Sequence, residues 1–178
     1  HKWVGLGCFV GKSVYTGVIR KAKGVLSAKG GNTVIDLMGQ YSYKVDAKGR
    51  VALPPKFAKE LSKELIVTLN PDKTCLLLFE PEGFNEWVKR FFESDGGFQQ
   101  SNPRHEKIRS VLKGRAKEIE TDSAGRINIP SDQREAAGIG STAVFIGNTG
   151  YVEIWDPQAR EAFESDIDLA ALLYGTAE

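Results

Sequence analysis

Asp46-Ala47-Lys48-Gly49-Arg50-Val51-Ala52-Leu53-Pro54 is restated downstream as Asp122-Ser123-Ala124-Gly125-Arg126-Ile127-Asn128-Ile129-Pro130. The shared phrase is D-x-x-G-R-hydrophobic-x-hydrophobic-P. Its second copy is offset from the first by 122 − 46 = 76, and the same offset places Pro81 on Pro157. A repeat at fixed separation is the mark of a duplicated structural unit. Within each copy Asp and Gly are turn residues, Asp through its own side-chain bonds to the backbone and Gly through its access to positive φ. The phrase therefore predicts a hairpin in which Asp46, Gly49, Asp122 and Gly125 shape the turns.

Outward from the first turn, Tyr41, Tyr43 and Val45 alternate with Gln40, Ser42 and Lys44 as in a half-buried strand, and Arg50 to Leu53 resume the alternation. Pro54 and Pro55 stop that strand and open a helix over Lys56 to Lys63. Strands are expected at Leu65 to Leu69 and Cys75 to Phe79, then a helix from Pro81 with Phe84, Trp87, Val88, Phe91 and Phe92 on one stripe. Asp95-Gly96-Gly97 ends it. A connector helix after Pro103 carries Ile108, Val111 and Leu112 on one face. The second copy repeats the order: strands Ala116 to Thr121 and Arg126 to Ile129, and a helix opened by Pro130 with Ala136, Ala137 and Ile139 near its end. Strands Thr142 to Ile146 and Tyr151 to Trp155 follow, then a helix from Pro157 with Ala159, Ala162 and Phe163 inward.

The reading is a β-rich α+β protein, each copy β-turn-β-α-β-turn-β-α. Neither half is apolar enough to close a core alone, so the two are expected to pair about a pseudo-two-fold axis. The expected organisation is a basic Gly-rich arm (1–35), a first repeat (36–98), a connector helix (99–114), a second repeat (115–165) and a C-terminal tail (166–178).

Net charge over the 178 residues is +1, but residues 1 to 33 hold Lys2, Lys12, Arg20, Lys21, Lys23 and Lys29 and no Asp or Glu. The remainder, with 24 − 6 = 18 basic and 23 acidic side chains, is net −5. Bulk basicity therefore carries no nucleic-acid argument; such a site must be a local patch. The arm is expected to be a disordered or non-native extension, with a basic arm touching DNA phosphates as the alternative. No apolar run approaches the roughly 20 residues of a membrane span. Cys8 and Cys75 suggest neither a zinc site nor a disulfide framework. No Gly-rich phosphate loop and no nucleophile–base set is present, so no enzyme activity, cofactor or small-molecule substrate is expected. His105, among Arg104, Glu106 and Lys107, reads as a solvated helix residue, and Cys75 as an inert buried thiol.

The doubled phrase, each copy followed by a short helix, a strand pair and a helix opened at an acidic-Pro step, resembles the AbrB/SpoVT-type swapped-hairpin fold. Two copies at this separation, led by Gly39-Gln40-Tyr41-Ser42-Tyr43-Lys44-Val45, resemble the MraZ family of bacterial transcriptional regulators over about residues 36 to 165. The resemblance implies a chain that supplies both halves of a swapped-hairpin barrel. It further implies a cytoplasmic, nucleoid-associated protein that assembles as a homo-oligomeric ring. The ring recognises direct repeats in double-stranded promoter DNA upstream of the division and cell-wall gene cluster, its own gene included. Family chains normally begin a few residues before the Gly39 position, so the arm departs from the pattern and Val34 or Met38 is the expected start.

Independently of the family, each phrase delivers an arginine beside a hairpin tip. A two-stranded element fits the major groove, where Arg pairs bidentately with guanine O6 and N7. Arg50 and Arg126 are thus the expected base readers. Lys44, Lys48, Lys56 and Lys117, with Lys113, Arg115 and Arg134, are candidates for phosphates, which set register rather than sequence. The plainer alternative is a turn whose Arg merely pairs with its Asp. Arg50 and Arg126 have no structural duty legible in the sequence, which favours function. Other readings are an antitoxin- or sporulation-type regulator of the same fold, and an oligomeric scaffold that binds a protein through the Phe84 to Phe92 helix.

Overall fold

Alternation and turn chemistry set the local structure, and a computed structural model of the chain describes residues 34–175. The expectations for the basic arm fall on residues 1–33, outside the described residues. The strands are β1 (Gln40–Lys44), β2 (Arg50–Ala52), β3 (Glu64–Leu69), β4 (Leu76–Phe79), β5 (Lys117–Glu120), β6 (Arg126–Asn128), β7 (Thr142–Gly147) and β8 (Val152–Trp155). The helices are α1 (Pro55–Ala58), α2 (Pro81–Arg90), α3 (Pro103–Arg115), α4 (Ser131–Ala136), α5 (Pro157–Ser165) and α6 (Leu169–Tyr174).

Most of the strand pairing joins the two copies. Six strands run in the order β1-β7-β8-β4-β3-β5, all neighbours antiparallel, and β2 pairs with β6 in a separate ribbon. Only β3–β4 and β7–β8 pair within a copy. The register carries a pseudo-dyad, because Val51 faces Ile127 and Leu77 faces Glu153, the same offset of 76 in each pair. Strand β7 starts 142 − 64 = 78 after β3, whereas β8 starts 152 − 76 = 76 after β4. The second copy is thus longer around its first helix and shorter in its strand turn. The chain is the β-rich α+β protein expected, but the ladder does not close. Strands β1 and β5 remain its edges, so the expected barrel is instead an open sheet with a two-stranded ribbon.

Strands β4 and β8 are buried throughout because apolar layers cover both faces of the sheet. One layer joins Leu65, Val67, Leu76, Leu78, Phe145, Val152 and Ile154 to Val51, Leu53, Ile127 and Ile129 of the ribbon segments and to Phe57 of α1. The other packs Leu77, Phe79, Val144 and Trp155 against Phe84, Val88 and Phe92 and against Leu112 of α3. Burying a side chain such as Phe57 or Ile127, both 0% exposed, stabilises by about 1.5–3 kcal/mol. Of the aromatic stripe, Phe84, Val88 and Phe92 are therefore core, while Trp87 and Phe91 pack against them half-buried. Cys75 is buried too, and desolvation raises its thiol pKa well above the ordinary value.

Several side-chain expectations are corrected. Helix α1 stops at Ala58 rather than Lys63; the Glu60 and Leu61 N–H groups still close on the Phe57 carbonyl as a turn, and beyond them the Ser62 N–H donates to Glu80 Oε1 at 2.7 Å and its hydroxyl to the Glu64 carbonyl at 2.8 Å. In α3, Val111 is 47% exposed, whereas His105 is fully buried. His105 Nδ1 accepts the Gln99 N–H at 3.1 Å and Nε2 lies 2.8 Å from Asp95 Oδ2, so polar partners offset the cost of its burial. In α4, Gln133 is buried and Ala136 exposed. In α5, Ala162 is exposed and Phe163 is 41% exposed, although its ring lies 5.0 Å from that of Trp155. The expected C-terminal tail contains α6, opened by Asp168, whose side chain accepts the Ala171 N–H.

Candidate nucleic-acid interface

Each phrase folds the same way down to its hydrogen bonds. Asp46 Oδ1 accepts the N–H groups of Lys48 and Arg50, both at 2.9 Å, and the Gly49 N–H closes on the Asp46 carbonyl at 2.9 Å. Asp122 Oδ1 accepts from Ala124 and Arg126, again at 2.9 Å, and Gly125 closes at 3.0 Å. The turns need φ of +81° at Gly49 and +72° at Gly125, a region where an L side chain is costly. They also interlock across the ribbon: Ile129 N–H donates to the Gly49 carbonyl and Leu53 N–H to the Gly125 carbonyl, both at 3.0 Å. Each turn is clamped by the strand end of the other copy.

The second carboxylate oxygen holds the arginine. Asp46 Oδ2 accepts from Arg50 Nε and Nη2, both at 2.7 Å, and Asp122 Oδ2 accepts from Arg126 Nε at 2.9 Å and Nη2 at 2.8 Å. Both arginines therefore have a structural duty, contrary to the sequence-based expectation that they lacked one. A guanidinium carries five N–H donors. The carboxylate takes the Nε–Nη2 side of the fork, which leaves the Nη1–Nη2 edge for another planar acceptor pair. The backbone N–H of Arg50 and then its side chain lower the Asp46 pKa to about 2. Asp122 is lowered by the matching groups of Arg126. Both carboxylates are thus ionised at neutral pH, so each arginine stays braced.

Alternation along the ribbon sorts its two faces. Val51 and Ile127 point into the core, so Arg50, Ala52, Arg126 and Asn128 lie on the outward face. Across the strands Arg50 faces Asn128 and Arg126 faces Ala52. The fold thus brings two braced arginines onto one face of a narrow antiparallel ribbon, with Lys48 exposed at the first turn.

The remaining cations are dispersed. Lys44 is exposed on the face of β1 opposite Tyr41 and Tyr43, which pack on the core beneath the ribbon. Lys56 is exposed on α1. Lys117 Nζ is bound to the Asp132 carboxylate at 2.6 and 2.5 Å, and Lys113 bonds Asn85. Arg134 lies beside the ribbon: a Cβ built on Gly49 would stand 3.0 Å from its Nη1 and 3.3 Å from Asn128 Oδ1. Asn128 did not stand out in the sequence; aligning the two copies position by position, Ala52 against Asn128, is the signal that finds it. Among the described residues no group of three or more His, Cys, Asp or Glu side chains is placed to hold a metal ion, and no helix is long and apolar enough to cross a membrane.

The family model described as "MraZ protein, putative antitoxin-like" matches residues 37–102 and 112–172, covering both ribbon strands and both turns. The chain is similar to a protein named transcriptional regulator MraZ from Thermoanaerobacter sp. (strain X514), 36% identical over 134 residues that span 75% of this chain and 90% of that protein. The protein of the same name from Alcanivorax borkumensis is 30% identical over 138 residues, 75% of this chain and 92% of its own length. A third, from Coxiella burnetii (strain Dugway 5J108-111), is 32% identical over 126 residues, 68% and 80% of the two chains. Because the match spans both turn-and-arginine units and most of each relative, the chain belongs to the MraZ family.

Proposed function

We propose that the chain is a sequence-specific DNA-binding transcriptional regulator whose β2–β6 ribbon enters the major groove and presents Arg50 and Arg126 to base edges. The observation that carries this reading is the bracing of both arginines by Asp46 and Asp122 on one outward face, each with a fork edge turned away from its carboxylate. A fork fixed in advance loses less side-chain freedom on binding. A guanine contact of this type contributes about 1–3 kcal/mol of discrimination. The aspartates orient the arginines and do not themselves face phosphates, where like charge would repel them. Lys44, Lys48 and Lys56 meet the DNA backbone as the ribbon seats, and Lys117 does so by exchanging Asp132 for a phosphate.

The operator in this reading is a set of direct repeats upstream of the division and cell-wall gene cluster, the chain's own gene included, and the binding form is a homo-oligomeric ring. Exposed apolar side chains of α6, Leu169, Leu172, Leu173 and Tyr174, support assembly, since isolated chains seldom leave such a group uncovered. A ring engages tandem repeats with several ribbons, which makes later contacts effectively intramolecular. Gel shifts with the DNA immediately upstream of the chain's own gene test the reading. Operator preference over scrambled DNA should fall in Arg50→Ala and Arg126→Ala and weaken with salt. An unchanged preference in both variants refutes the assignment.

A further inference from the structure

The ribbon is symmetric in its backbone and its arginines, but not in what surrounds them. The offset between the copies sets Lys48 against Ala124, Asn128 against Ala52 and Arg134 against Ala58. At these three positions the polar side chain belongs to the Gly49 end and alanine to the other; within the phrase only Ser123 against Ala47 runs the opposite way. The difference is spatial as well as sequential. Around Gly49 stand Asn128 Oδ1 and Arg134 Nη1, at 3.3 and 3.0 Å from an ideal Cβ, whereas nothing lies within 4 Å of the same point on Gly125. The Gly125 end instead borders an open cleft of about 370 Å³ lined by Leu53, Ala58 and Leu61 together with Lys63, Asp122 and Ser123.

We infer that the ribbon is a polarised reader, in which the Gly49 end discriminates bases and Asn128 reads an adenine next to the guanine met by Arg50. This rests on the DNA-binding role proposed above. Asn128 is exposed, makes no side-chain hydrogen bond among the described residues and faces Arg50 directly across the strand pair. Opposed residues have Cβ atoms about 4.5–5.5 Å apart, close enough to address neighbouring base pairs. An asparagine amide donates to adenine N7 and accepts from the N6 amino group, while arginine donates to guanine O6 and N7. Lys48 and Arg134 place two further cations at this end to fix its register on phosphates. The Arg126 end keeps its arginine, but the residue facing it across the strand pair is Ala52, with no amide to pair with a base; Ser123 and Lys63 are the polar groups of that end.

Polarity has a consequence for the operator. A reader with a true two-fold axis meets both DNA strands alike and matches an inverted site. A polarised ribbon specifies direction, so several copies side by side match direct repeats.

The test is fluorescence anisotropy on a duplex of the DNA immediately upstream of the chain's own gene and on a panel with each base pair changed in turn. Asn128→Ala should flatten the preference at one position per repeat by about 5- to 150-fold, the worth of one bidentate base contact. Asn128→Asp, similar in shape but an acceptor only, should move that preference toward cytosine. Arg50→Ala should flatten the adjacent position, and Arg126→Ala should lower affinity across the panel with less change in profile. Profiles unchanged in both Asn128 variants, alongside lost preference in Arg50→Ala, overturn the polarised reader and leave DNA reading intact. A wild-type chain with no preference for upstream over scrambled DNA overturns both.

Discussion

Replacing each turn glycine by alanine separates backbone strain from crowding, because the two sites share a conformation and differ in their neighbours. At Gly125, φ is +72° and the space around a Cβ is open. An L residue in this region costs about 1–2 kcal/mol. The smaller entropy of the unfolded alanine chain offsets about 0.4–1 kcal/mol of that. Gly125→Ala is thus expected to destabilise by about 1 kcal/mol, combining the two. Gly49 has φ of +81° and the same strain, but its Cβ would stand 3.1 Å from the Ile129 carbonyl oxygen as well as against Arg134 and Asn128. The two side chains can swing aside. Ile129 cannot, because its N–H is bound to the Gly49 carbonyl at 3.0 Å. Crowding of this kind adds about 1 kcal/mol, the low end for overpacking. At about 2–4 °C per kcal/mol for a chain of this size, thermal melts followed by circular dichroism should fall by about 2–4 °C for Gly125→Ala and about 4–8 °C for Gly49→Ala. Equal losses, or a larger loss at Gly125, would refute the clamped-turn reasoning.

Other expectations rest on the same contacts. Arg50→Lys keeps the charge but loses the planar fork, so operator preference should drop by about tenfold in a gel shift while the melting temperature changes little. Asp46, Asp122, Asp95 and Asp132 all have lowered pKa values, Asp46 at about 2 against 3.8. Their stabilising effect is full above about pH 4 and lost as pH falls through the folded values. Melts between about pH 2 and 7 should therefore drop below about pH 4, and Asp46→Asn should make that drop shallower. Phe57→Ala empties a fully buried site beneath the ribbon and should cost about 3–5 kcal/mol in urea unfolding. Gly147→Ala puts a Cβ 2.6–2.7 Å from the Leu37 backbone; moving that segment should cost about 1–3 kcal/mol in the same assay.

Much of the local structure was legible because its causes are local. Alternation located the strands, Pro81 and Pro157 each open a helix, and the repeated phrase identified the turns. Burial on α3 and α5 was less legible. The periodicity of apolar residues pointed to Val111 and Phe163, but which helix face is covered depends on distant elements. His105 shows the same limit: its burial rests on Asp95 and on the Gln99 N–H, which lie outside its own helix and which no periodicity connects to it.

For the interface, the amino-acid sequence by itself determined the duplicated turn, its Asp and Gly chemistry and the presence of an arginine after each. These follow from short-range hydrogen bonding and allowed φ, which the few residues of each phrase suffice to specify. Only the tertiary structure decided that the two arginines share one face and that Asn128 and Arg134 gather at one end. Those placements arise from antiparallel pairing between segments far apart in the chain, and burial of Val51 and Ile127 beneath the ribbon selects that pairing by turning the arginine face outward.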